Sequence, residues 1–190
     1  MHESIVLLLA ASGKNGWAGI HGHKLILAMK QCIPLRDSLC YGIAYKKERH
    51  FMAYDTDNIF AKILRGEAPA FKVYEDDYAL AFMDVMPQVE GHTLVIPKDP
   101  AENLLDADPV ILGATIQVVQ TVAEAVKQAF SAPGIMIAQL NGVAAGQSVF
   151  HLHFHIMPRF EGLEFKIHAQ NMEDPAKLEQ HAERIRNLLS

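Results

Sequence analysis

The chain has 190 residues, half of them hydrophobic and 21% charged, with a formal net charge of −5. That length allows one domain with a substantial core, and the acidic balance excludes a basic field for gripping a phosphodiester backbone. Two cysteines cannot build a disulfide framework, and no apolar run is expected to reach the length of a membrane span, so neither nucleic acid nor membrane is an expected partner.

The opening SIVLLLAAS follows Glu3 rather than a basic region, which makes it a poor secretory signal and leaves the cytoplasm as the expected location. Residues 1–51 carry seven basic side chains (Lys14, Lys24, Lys30, Arg36, Lys46, Lys47, Arg49) against three acidic (Glu3, Asp37, Glu48), and a net acidic chain follows. They also hold both cysteines, Cys32 and Cys40, and Trp17, but no sustained helical or strand period. His21 and His23 with the two cysteines match no common zinc spacing. This segment is read as an N-terminal extension of open status, one reading of which places the biological start at Met52. The main domain is expected over 52–160, with a helical tail over 161–190.

From Asp55 onward the punctuation is clear. Asp57 is expected to cap a short helix whose apolar positions are Ile59, Phe60, Ile63 and Leu64, closed by Gly66. Phe71–Tyr74 and Ala79–Asp84 read as strands split by the turn-prone Glu75-Asp76-Asp77. Thr93–Ile96 is a third strand, entered after Gly91 and stopped by Pro97. Asp108-Pro109 opens a long amphipathic helix to about Phe130, with a core stripe of Ile111, Ile116, Val119, Val122, Ala123 and Val126. Ile135–Leu140 is a fourth strand, the histidine run a fifth, and Asp174-Pro175 starts a last helix to Leu189. Five strands with short links imply an antiparallel sheet with helices packed on it, an α+β domain.

The stretch FHLHFHIMPR, residues 150–159, places His151, His153 and His155 at alternate positions. Strand periodicity puts the three imidazoles on one face and Leu152, Phe154 and Ile156 on the other. Just before it, Asn141-Gly142-Val-Ala-Ala-Gly146-Gln147-Ser148 offers a glycine-rich turn. Its backbone amides, the Ser148 hydroxyl and the Gln147 side-chain amide can form an anion cradle. A neutral imidazole beside a held phosphate can attack phosphorus, while a neighbouring ring carries a proton. A zinc site with His92 arriving from another strand is the open rival, and the spacing favours phosphoryl chemistry over it.

These residues resemble the histidine triad (HIT) superfamily, whose mark is His-φ-His-φ-His-φ-φ with φ apolar. Here it stands as HLHFHIM, residues 151–157, in order behind NIFAKILRGE (58–67), VYEDDYALAFMDVMPQ (73–88), GHTLVIPK (91–98) and NGVAAGQSV (141–149). The resemblance implies a HIT-like fold: the five-stranded antiparallel sheet with a short N-terminal helix and a long helix packed on it, plus a C-terminal helix. It also implies a bacterial HIT-like or HINT-type nucleotide hydrolase that acts at the α-phosphate of phosphoramidates or dinucleoside polyphosphates. By that resemblance His153 is the nucleophile, His151 orients it, His155 serves phosphate and leaving group, and His92 supports them from behind. Asp84 would take the ribose hydroxyls. Ile59, Phe60, Ile63, Phe82 and Val85 would line the base pocket, and Asn141, Gly146, Gln147, Ser148 and Val149 would hold phosphate and ribose. The expected partner is a purine nucleotide conjugate, with no cofactor or metal, in a homodimer built on the long helix and sheet edge. Three departures from the family pattern stand out: Asp99-Pro100 where many relatives have histidine, Asn58 and Ala61 where some have zinc-binding cysteines, and Leu140 before Asn141. Two further readings are a non-catalytic nucleotide-binding or interaction protein of this fold, and a metal-dependent hydrolase.

Overall fold

The computed structural model describes residues 54–162 and 171–189, all within one unit, Lys47–Ser190. The expectations for residues 1–51, including the His21–Cys40 set and the start at Met52, lie outside the described residues.

A short helix, α1 (Ile59–Leu64), opens the described chain. Its cap is Asn58 rather than the expected Asp57, because the Asn58 side-chain oxygen reaches the Ala61 N–H at 2.9 Å and so satisfies a first-turn donor. Two strands follow, β1 (Lys72–Glu75) and β2 (Ala79–Met83). They are joined by a turn in which Asp76 Oδ1 accepts from the N–H groups of Tyr78 and Ala79, both at 2.8 Å. Then come β3 (Thr93–Pro97), the long helix α2 (Pro109–Ala129), β4 (Gly134–Ala138), β5 (Phe154–Arg159) and α3 (Pro175–Arg186). Asp108 and Asp174 cap the two longer helices, each followed by proline at the first helical position.

The five strands form one antiparallel sheet in the order β1-β2-β3-β5-β4. Its two faces are both covered. Ala79, Ala81, Met83, Val95, Phe154 and Ile156 face α2, joined by Val119, Val122 and Val126, with Leu178, Ala182 and Ile185 of α3 extending that core. The alternate residues Leu80, Phe82, Leu94 and Ile96 face α1, where Phe60 and Ile63 cover them. Double coverage explains why ALAFM and TLVIP are buried at every position instead of alternating. Each fully buried side chain of the Leu80 or Ile156 kind contributes on the order of 1.5–3 kcal/mol.

Two expectations about α2 are corrected. Ile116 is 45% exposed and Ile111 only half-buried, because both lie on the flank of the stripe that Val119, Val122 and Val126 bury. The helix is also long and apolar enough, by length and composition alone, to cross a membrane. Its apolar stripe lies against the sheet, as in the core helix of a globular domain.

Gly91 sets the turn that delivers β3. Its φ of +81° is the left-handed region, and a Cβ there would come within 2.5 Å of the Phe130 ring at the end of α2. Gly91→Ala is therefore expected to destabilise the fold by about 2 kcal/mol, combining backbone strain with overpacking. The urea midpoint read by circular dichroism checks this.

Candidate active site

The sheet register brings the histidines together. His92 lies two residues before Leu94, and Leu94 pairs with His155 across β3 and β5, so period-2 alternation puts both imidazoles on the α1 side of the sheet. The β2–β3 loop closes on itself through Asp84 N–H to the His92 carbonyl at 3.0 Å, and this ties Asp84 to the same place. The strand itself is shorter than expected. It begins at Phe154, so only His155 is a strand residue, while His151 and His153 lie in the extended segment before it. Leu152 N–H is bonded to the Ala101 carbonyl at 2.7 Å instead of to a neighbouring strand, which lets the segment leave the sheet toward α1. The phenyl ring of Phe60 then meets His153 edge-on at 5.2 Å and His151 at 6.3 Å. The rings of His153 and His155 are 4.9 Å apart.

The hydrogen bonds described in the cluster assign its protons. His153 Nδ1 lies 2.6 Å from the carbonyl oxygen of His151, an acceptor only, so Nδ1 carries the hydrogen and Nε2 keeps its lone pair. His151 donates from Nε2 to the Pro97 carbonyl at 2.9 Å, leaving Nδ1 to accept from the Tyr54 hydroxyl. His92 Nδ1 accepts from the backbone N–H of Gln88 at 3.2 Å, so its Nε2 donates to His155 Nδ1 at 3.0 Å. His155 then holds its own hydrogen on Nε2.

Burial favours the neutral form of His92, His151 and His153. It drives His92 down to about 3, helped by the neighbouring His155 and His153, and His151 down to about 4. His153 is lowered by the same cause, opposed by its bond to the His151 carbonyl. Asp84 moves the other way: burial pushes its carboxyl up to about 6, against the Met86 N–H that bonds Oδ1 at 2.8 Å. Asp84 Oδ2 is 3.4 Å from His92 Nδ1.

The glycine-rich loop is built differently from the expected cradle. Gly142 and Gly146 both take positive φ around a single 3-10 turn, Val143–Ala145. The backbone N–H groups of Gly146 and Gln147 donate inside the loop, to Val143 and Gly142. The buried Gln147 side chain accepts from the Gly142 N–H at 2.7 Å and donates to the carbonyls of Glu102 at 2.6 Å and Val149 at 3.0 Å. Gln147 thus shapes the loop and has no amide hydrogen left for a phosphate, which corrects that expectation. Asn141 acts similarly, accepting from the Leu104 N–H at 3.0 Å and donating to the Gln139 side-chain oxygen at 2.8 Å. Ser148 is exposed, and Val149 packs at the edge of the α1 core.

Of the apolar set, Phe60, Ile63 and Phe82 are buried beneath α1, with Phe60 and Phe82 in an edge-to-face contact at 5.5 Å. Ile59 and Val85 are instead 47% and 40% exposed. Tyr54, Gln88 and Pro97 contribute to the cluster without having been anticipated. Gln88 and Pro97 act through backbone atoms and Tyr54 lies 97 positions from His151, so side-chain type could not announce them. Among the described residues, Asp84, His92 and His155 form a group whose ligand atoms lie within 4.8 Å, the spacing a metal ion needs. Two of its imidazoles are bonded to each other, so a metal would have to displace that hydrogen bond.

The HIT domain family matches residues 65–162, which span the sheet, the loop and all four histidines. The chain belongs to the HIT family. A HIT-like protein of Borreliella burgdorferi is 46% identical over 114 residues, covering 58% of this chain and 82% of that protein. The crystal structure of a HIT-like protein from Bartonella henselae, described as involved in cell-cycle regulation and holding an unknown ligand, superposes with a TM-score of 0.67 at 53% identity. It covers 72% of this chain and 98% of that one. The adenylylsulfatase HINT3 of Arabidopsis thaliana is 40% identical over 105 residues, 55% of this chain and 53% of its own length. The α+β HIT fold read from the sequence is the fold observed.

The neutral imidazoles of this HIT domain predict its acid sensitivity. Unfolded histidines titrate near 6.5, so the unfolded chain binds more protons than the native state from about pH 6.5 down to about 4 at His151 and 3 at His92. Asp84 opposes them, because its folded value near 6 exceeds the unfolded 3.8. Two histidines outweigh one carboxyl, so stability is full above pH 6.5 and falls as pH drops to 5. Asp84→Asn removes the opposing contribution and steepens the fall. Urea midpoints at pH 7 and pH 5 for both proteins test the sign.

Proposed function

We propose that this HIT protein is a nucleotidyl hydrolase or transferase that attacks the α-phosphate of nucleoside phosphoramidates or dinucleoside polyphosphates. The observation that carries the reading is the bond from His153 Nδ1 to the His151 carbonyl, because it leaves Nε2 of a neutral imidazole as a nucleophile. In the first step the Nε2 lone pair forms a bond to phosphorus, and the bond to the leaving group breaks as that group takes a proton. In the second step water attacks the phosphorus, the P–Nε2 bond breaks, and the electron pair returns to His153. His155, holding its hydrogen on Nε2, is the donor in the first step and the acceptor in the second. Asp84 accepts from the ribose hydroxyls, and Ile59 with Val85 contacts a purine. The name of the Arabidopsis relative, an adenylylsulfatase, supports adenylylated compounds as a substrate class.

Adenosine phosphoramidate and diadenosine polyphosphates, offered to the wild type and to His153→Ala, test this. Loss of the nucleophile is expected to reduce nucleotide release by more than about 10³-fold. Equal release by both proteins overturns the reading, and binding without release by the wild type supports a nucleotide-binding module instead. Activity abolished by a chelator and restored by zinc supports the metal-dependent alternative at Asp84, His92 and His155.

The protein is further proposed to act in the cytoplasm as a homodimer. The exposed Ile116 and Ile137 share an apolar groove with Val119, Ala123 and Ile135, between α2 and the edge strand β4. A second copy seated there would cover the groove and the strand edge together. Sedimentation is expected to show a dimer, and Ile116→Asp with Ile137→Asp a monomer.

A further inference from the structure

The His151 ring is fully buried and held at both of its nitrogens. Its Nε2–H donates to the Pro97 carbonyl at 2.9 Å, and its Nδ1 lone pair accepts from the Tyr54 hydroxyl. The phenol ring of Tyr54 also meets the imidazole at a steep angle, with the ring centres 5.6 Å apart. We propose that Tyr54 is a positioning residue: its hydroxyl clamps the His151 ring and thereby holds the carbonyl that aims the His153 nucleophile. The role rests on the nucleotidyl transfer reading above and adds to it a residue from outside the histidine stretch.

The backbone explains why a side chain has to do this. His151 precedes β5 and lies outside its ladders with β3 and β4. The position of its carbonyl therefore follows from the Leu152 bond to Ala101 and from how the His151 ring is held. That carbonyl accepts the His153 Nδ1–H at 2.6 Å, so a shift of residue 151 turns the His153 ring and swings its Nε2 lone pair. Without the tyrosine hydroxyl, Nδ1 of His151 is a bare acceptor in a dry pocket. The ring relieves that by turning or by admitting water, and either one moves the carbonyl.

The clamp is anchored rather than hung on a free end. Behind Tyr54 the Asp55 carbonyl accepts from the Asn58 N–H at 3.4 Å, and Asp55 Oδ1 accepts from the Asp57 N–H at 2.8 Å. Arg65, at the end of α1, donates to the Thr56 carbonyl at 2.7 Å. These bonds tie the segment carrying Tyr54 to both ends of α1. The same helix sends Phe60 edge-on against His151 and His153, so the hydroxyl and the phenyl ring brace the pair from one support. An aimed lone pair matters because a displacement of about 1 Å in a reacting group costs on the order of 10²-fold in rate.

Tyr54→Phe keeps the ring and removes only the hydroxyl. On adenosine phosphoramidate it is expected to lower kcat about 30-fold and to change KM by less than about twofold. His151→Gln keeps a donor for the Pro97 carbonyl but has no atom in the place of Nδ1. It is expected to lose a similar factor, and adding Tyr54→Phe to it is expected to cost no more than about twofold further, because both act through one bond. Losses that multiply in the double variant, or a loss carried in KM, overturn the positioning role and leave the nucleotidyl transfer reading intact. A wild type that releases nucleotide from neither adenosine phosphoramidate nor diadenosine polyphosphates overturns that reading instead. The clamp is then decided by nitrogen-15 spectra of the histidine rings, which need no substrate. The His153 Nδ1 hydrogen is expected to exchange with solvent at least about tenfold faster in Tyr54→Phe than in the wild type, and an unchanged rate overturns the clamp.

Discussion

The 2.6 Å bond from the His153 ring to the carbonyl of its neighbour His151 constrains the whole site. It fixes one tautomer and one ring orientation, and it does so only while His153 is neutral and His151 stays where its own partners hold it. Those partners are the Pro97 carbonyl at the end of β3 and the Tyr54 hydroxyl from the segment before α1. The nucleophile candidate is thus positioned by three separated parts of the chain. The sheet, α1 and the loop around Ala101 are the scaffold that keeps them in register.

Neutrality has the same origin as packing. Phe60 caps His153 and His151 edge-on and also covers Phe82 and Leu80 on the sheet. The helix that buries the hydrophobic face therefore also strips water from the imidazoles. An ordinary histidine would be partly charged at neutral pH, and charge would remove the lone pair the chemistry needs. The same desolvation acts oppositely on Asp84, raising its carboxyl while it lowers the imidazoles beside it.

Much of this was legible in the amino-acid order. The capping aspartates before Pro109 and Pro175, the doubly buried runs ALAFM and TLVIP, and the alternation in the histidine stretch read directly as elements. The misreadings share a cause. Asp57 and Asn58 are both good caps, and only the geometry of the first turn chose between them. Ile116 has the right period for the core, but it lies on the flank of the stripe that Val119, Val122 and Val126 bury. Gln147 has donors suited to a phosphate, but the nearby carbonyls of Glu102 and Val149 take them.

The sequence by itself determined the element types, the family blocks and the presence of histidines at alternate positions, because those follow from local periodicity and side-chain chemistry. Only the tertiary structure decided which imidazole nitrogen carries each hydrogen. That choice depends on acceptors such as the Pro97 carbonyl, the Gln88 N–H and the Tyr54 hydroxyl, which come from distant parts of the chain or from the backbone. The histidines are a local pattern, but their protonation is a property of what the fold packs against them.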